Sequence, residues 1–190
     1  MKKILILIAV LAFTACAKSP EKVIEKYSDG LKEGKFDSTL WDLNAFSRLY
    51  YSAYWDKAEE ADRKKLISII ETTSNNFALM NKIIAGNAHI KSYKTIEANE
   101  KTAKISALFV RNNDEKISLE ITFMLTKESG SWKILNIDKL ATGTGLNFDP
   151  LAIFKQNLPL LLKDAGYPID NINLKLINQF YQEKFLKKVK

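Results

Sequence analysis

The stretch TAKISALFVRNNDEKISLEITFMLTKESGSWKILNI, residues 102–137, decides the fold class. Ala103, Ile105, Ala107 and Phe109 alternate with Lys104, Ser106, Leu108 and Val110. Asn112-Asn113-Asp114 interrupts the run, after which Ile117, Leu119, Ile121, Phe123 and Leu125 alternate strictly. Glu128-Ser129-Gly130 breaks it again before Trp132-Lys133-Ile134-Leu135-Asn136-Ile137. A period of two sends successive side chains to opposite faces, so this pattern predicts three antiparallel strands with one apolar face. His89 to Glu97, with Ile90 and Ile96 as its fixed points, predicts a weaker strand ahead of them, giving a meander of about four.

An apolar sheet face must be covered, and the flanking sequence supplies helices. Ser19-Pro20-Glu21 is a helix start, with Val23, Ile24, Tyr27 and Leu31 on one face and Gly34 to end it. Asp42 is placed to cap a second helix carrying Phe46, Leu49, Tyr50 and Ala53, crowded by Tyr51, Tyr54 and Trp55. Such aromatics form core, and their edges can also line an apolar cavity. A third helix is expected from about Glu59 to Ile84, its inward stripe being Leu66, Ile70, Thr73, Phe77, Met80 and Ile84.

After the strands, Thr142-Gly143-Thr144-Gly145 reads as a flexible connection. Asp149-Pro150 then opens a helix with Leu151, Phe154 and Leu158 inward, and Asp170 caps a last one with Leu174, Ile177 and Tyr181. The order of helices, meander and helices predicts an α+β fold. With 190 residues, 46% apolar and 27% charged, the composition is that of one globular domain.

The N-terminus bears on location. Met1-Lys2-Lys3 followed by the apolar run Ile4 to Phe13 has the form of a secretory signal, too short for a membrane span. Phe13-Thr14-Ala15-Cys16 resembles a bacterial lipobox, with Phe13 where Leu is usual. Residues 1–15 are therefore expected to be removed and Cys16 acylated, leaving a single domain, residues 16–190, anchored at its membrane. Ala17 after the cysteine resembles lipoproteins sent to the outer membrane in enteric bacteria; inner and outer membrane both stay open. Cys16 is the only cysteine of the sequence, so no internal disulfide is expected. The net charge of +7 favours an anionic partner. An exported chain meets membrane surfaces rather than nucleic acid.

Catalytic signatures are missing from the pattern. A single histidine, His89, cannot build a triad or a histidine-rich metal site, and a solvated or locally bonded imidazole is the expectation for it. Gly143 and Gly145 lack the preceding parallel strand of a dinucleotide fingerprint. The acidic residues are scattered among lysines, and nothing singles out a carboxylate pair. The reading is a binding protein, not an enzyme, with no cofactor and no metal.

Two blocks resemble the MlaC family, periplasmic phospholipid-binding proteins of the toluene-tolerance type. The first lies within Asp42 to Leu66, where Trp55-Asp56-Lys57-Ala58-Glu59-Glu60-Ala61-Asp62-Arg63-Lys64-Lys65-Leu66 has the family's order of Trp, short loop and charged helix start. The second runs from Trp132 to Phe154: Trp132-Lys133-Ile134-Leu135-Asn136-Ile137 resembles the family's W-[KR]-[IV]-x-[DN]-[IVM] strand, and Gly143-Thr144-Gly145-Leu146 falls at its G-[VI]-S-[LM] turn. Gly145 replaces the family's Ser, and Leu151 an Arg common in it. A lipobox also departs from soluble shuttles.

The resemblance implies an MlaC-like or NTF2-like sheet enclosing an apolar pocket for the acyl chains of a phospholipid cargo. It also implies a role in intermembrane lipid transport with an ABC transporter or an outer-membrane lipoprotein complex. Expected lipid-binding residues are Ile105, Ala107, Phe109, Leu119, Ile121 and Phe123 on the sheet, Phe77 and Met80 on the long helix, and Leu146 and Phe154 at the mouth. The alternative is a non-transporting lipoprotein of NTF2-like α+β fold, an interaction or assembly module in which those residues form a dry core. A cavity separates the two.

Overall fold

The alternation of residues 102–137 is realised as the three middle strands of a five-stranded antiparallel sheet in sequential order. Its strands are β1 (Ala88–Ala98), β2 (Thr102–Arg111), β3 (Asp114–Glu128), β4 (Ser131–Thr142) and β5 (Asn147–Phe148). The computed structural model describes residues 19–51, 55, 56, 58–128, 130–150 and 152. The expected lipobox with Cys16, the residue Phe154 and the C-terminal helices lie outside them.

Among the described residues three α-helices precede the sheet: α1 (Pro20–Glu33), α2 (Leu43–Tyr51) and α3 (Glu60–Gly86). Each starts and stops for a local reason. Gly34 adopts φ 73°, a left-handed conformation that only glycine takes without strain, and ends α1. The Asp42 carboxylate accepts the Ala45 N–H at 3.0 Å, capping α2. Glu60 and Asp62 stand in the first turn of α3, the favourable sign for its dipole.

Helix α1 lays Val23, Ile24 and Tyr27 onto the sheet, where they join Ile105, Ala107, Phe123, Leu125 and Ile134 in one core. The connection before α2 is tied to the sheet by backbone: the Asp42 N–H donates to the Ile134 carbonyl at 3.0 Å, and Trp41 bridges Ile134. Trp41 then meets Tyr27, Phe36 and Phe46 at ring-centroid distances of 6.0, 5.6 and 5.4 Å.

Bulges bend the sheet. Pairing of β3 with β4 skips Leu135 and Asp138, and pairing of β1 with β2 skips Lys91 and Ile96. Each extra residue bends its strand and increases the local twist.

Two expectations need correction. The segment Thr142–Gly145 is a tight hairpin into β5, not a flexible connection. The Gly143 N–H donates to the Ser118 carbonyl at 2.9 Å, and a Cβ on Gly143 would lie 2.6 Å from the Ser118 hydroxyl, which would have to move aside. Gly145 supplies the φ of 87° that the turn requires.

The inward stripe of α3 is also not continuous. Leu66, Ile69, Ile70 and Ala78 are buried, whereas Phe77, Met80 and Ile84 are exposed among the described residues. The reason is geometric: α3 packs chiefly on α1 and touches the sheet mainly at β1. The α1 helix stops at Gly34, beside Leu79 and Lys82, and the rest of α3 overhangs.

Two positions on one helix test this division. Leu66 is fully buried and Met80 is 81% exposed. Leu66→Ala is expected to lower the unfolding free energy by about 2–5 kcal/mol, and Met80→Ala to change it by less than about 0.5 kcal/mol. Urea unfolding measures both, and equal losses would contradict the overhang.

Candidate functional site

Between the overhanging part of α3 and the part of the sheet that the described helices leave uncovered lies a cavity of about 670 Å³. Its floor is sheet: Phe109 of β2, Leu119 and Ile121 of β3, Ile137 and Leu140 of β4. Its inner end is aromatic, built by Tyr27 of α1, Phe36 and Trp41 of the connection, and Phe46 and Tyr50 of α2. Its other side is the second half of α3, through Phe77, Ala78, Ile83 and Ile84. Phe77, Ile83, Ile84 and Ile117 of β3 combine a place in this wall with solvent exposure. The space is therefore deep at the aromatic end and open at the other.

The local chemistry of the deep end is uncharged. Burial pushes the Tyr27 phenol well above its ordinary pKa. Tyr50 is raised in the same direction, first by burial and then by the nearby charges of Asp149 and Tyr51. The Tyr50 hydroxyl donates to the Asn136 side-chain oxygen at 3.4 Å, so its polar end is turned to a partner while its ring faces the cavity wall. Rings of Phe46 and Tyr50 lie 4.0 Å apart, which stiffens that wall. Such a surface can hold hydrocarbon. His89 bonds locally, its Nδ1 2.9 Å from the Asn112 side-chain oxygen, away from this wall.

The structure sorts the expected site residues into groups. Phe77, Phe109, Leu119 and Ile121 lie together in the cavity wall. Ile105, Ala107 and Phe123 are not in it; they belong to the packed core beneath α1, with Phe123 against the Tyr27 ring at 5.5 Å. Met80 is exposed and outside the wall, and so is Leu146 at the tip of the β4–β5 turn. Phe154 lies outside the described residues.

Sequence reasoning missed Leu31, Phe36, Ile137 and Leu140 as wall residues. Ile137 and Leu140 are three apart, and the bulge at Asp138 restores them to one side. A period-two search cannot find such a pair.

Buried phenols predict a pH dependence of stability. With folded values raised above the unfolded phenol's pKa of about 10, the stability they lend is complete below that pH. It is lost as pH climbs toward the folded values. Urea unfolding between about pH 8 and pH 11 should show the decline, and Tyr50→Phe should lose less, by up to about 1.4 kcal/mol per pH unit above pH 10. Identical slopes for the two proteins would contradict the placement of Tyr50.

No family model and no curated protein matches the chain. Among solved structures it is similar to a phospholipid-binding protein from Ralstonia solanacearum, determined in complex with a phospholipid. The TM-score is 0.49 and the identity 13%, over 85% of this chain and 81% of that one. At that distance the likeness says nothing of this chain's own ligand.

Proposed function

We propose that this chain is a lipid-binding protein that takes the acyl chains of a phospholipid into its cavity. The observation that carries the reading is the cavity itself: about 670 Å³ of space walled by aliphatic and aromatic side chains and continuous with the core packed beneath α1. That volume falls in the range of sites for small ligands, about 300–1,000 Å³. Each methylene moved from water to such a wall gains about 0.8 kcal/mol. An inserted chain of about ten methylenes therefore gathers roughly 8 kcal/mol before ordering costs, without a polar contact. A purely structural module needs no such void, and a dry core would have filled it.

The finer reading follows from the N-terminus and the quoted motifs. The chain acts as a divergent MlaC-like protein, exported to the periplasm and anchored through acylated Cys16. It takes part in intermembrane phospholipid transport with an ABC-type system. A domain held at one membrane by two residues, Ala17 and Lys18, would receive or hand on lipid there rather than cross the periplasm. It would act by binding, without chemistry on its cargo.

Ile121 is the position to test, because it is nearly buried and its side chain faces the cavity. Ile121→Trp should fill the space. Binding of a pyrene-labelled phosphatidylcholine is expected to weaken roughly tenfold or more, the equivalent of about 1.4 kcal/mol. Unfolding free energy should fall by less than the roughly 1–3 kcal/mol of an overpacked core. A folded variant that binds the probe as tightly as the parent would overturn the assignment.

A further inference from the structure

We infer that the cavity selects an amphiphile with an anionic head, held at the open end by Lys35 and Arg111. This rests on the reading of the cavity as a lipid site and adds the chemistry of the head group to it. The sequence carries 22 acidic residues, yet no aspartate or glutamate is among the described residues of the wall. Lys35 and Arg111 are its charged side chains, and both are cations.

Their placement is set by the fold. Lys35 follows the left-handed Gly34 and is held by its N–H, which donates to the Gly30 carbonyl at 2.8 Å. Gly34 in turn lies against Lys82 of α3. Arg111 ends β2 and pairs with Ala88, just beyond the end of α3. From Lys82 to Asn87 the helix rises roughly 8 Å, so both cations stand along the end of α3 that bounds the open side, Lys35 next in the chain to Phe36 and Arg111 beyond the helix terminus.

Neither cation is committed elsewhere by a strong contact. Lys35 reaches Glu33 at 3.1 Å with its side chain 75% exposed, the kind of surface pair that exchanges easily. Arg111 has no ion pair among the described residues and is exposed. The amides nearby are already used: Asn81 donates to the Phe77 carbonyl at 2.8 Å and Asn87 to the Ile83 carbonyl at 2.9 Å. An anionic head above an apolar space would therefore meet the two cations as its strongest donors, with Arg111 able to grip two oxygens at once.

A phosphate or a carboxylate satisfies this chemistry, and competition binding separates them. The purified full chain is loaded with a pyrene-labelled diacylglycerol, which is uncharged, and displaced with phosphatidylglycerol, phosphatidylcholine or palmitate. Phosphatidylglycerol is expected to displace it about tenfold more effectively than phosphatidylcholine at low salt, where two cations favour a head of net negative charge. In the double variant Lys35→Gln/Arg111→Gln that ratio should fall toward one. Lys64→Gln/Lys101→Gln, of equal charge but remote from the cavity, should keep it. If the double variant weakens palmitate displacement alone, the head is a carboxylate; if it weakens phosphatidylglycerol, a phosphate. A ratio near one for the parent with no loss for palmitate, or unchanged displacement in the cavity double variant, overturns the inference. Failure of the uncharged probe to bind the parent removes the cavity reading instead, and this inference with it.

Discussion

A mismatch of lengths governs the molecule. The 15 residues of β3 reach roughly 50 Å if fully extended, whereas the 14 residues of α1 rise about 21 Å. One helix of that size cannot cover the apolar face that such strands generate. The longer α3 does not make up the difference, because it stacks mainly on α1 rather than on the sheet. Where α1 ends at Gly34, the two layers part. What lies between them is the cavity, so the void follows from the architecture and not from a local packing defect.

That origin explains why the site has no chemical signature. Its deep end is made of the same kinds of side chains as the core, and burial keeps its phenols protonated. What such a place offers a ligand is volume and shape, which is the basis of the proposal that it takes hydrocarbon. The aromatic chain from Tyr27 through Trp41 and Phe46 to Tyr50 closes one end. It is fixed to the sheet by the backbone bond from Asp42 to Ile134, so a displacement of β4 there would move the end wall with it.

Much of the fold was legible in the sequence. Alternation from Ala103 to Leu125 reports the sheet because nothing but period two places five such residues on one face. Ser19-Pro20 and Gly34 report the bounds of α1 because each supplies backbone geometry that few residues can. The site was legible only in part. Ile105, Phe109 and Ile121 share one alternating pattern, yet two line the cavity and one is packed beneath α1. What separates them is the place where α1 stops, and the strand pattern does not contain it. Phe77 and Met80 likewise follow one helical period, yet Phe77 lines the cavity and Met80 does not. The hairpin at Gly143 was hidden because its reason, the nearness of Ser118, is 25 residues away in the chain.

The central claim is that hydrocarbon occupies the space between α3 and the sheet. Native mass spectrometry, with lipid extraction, of the chain purified without detergent from a bacterial periplasm tests it most directly. The account predicts phospholipid carried in near-stoichiometric amount. A protein that arrives free of lipid, and that also refuses added phospholipid, would contradict it.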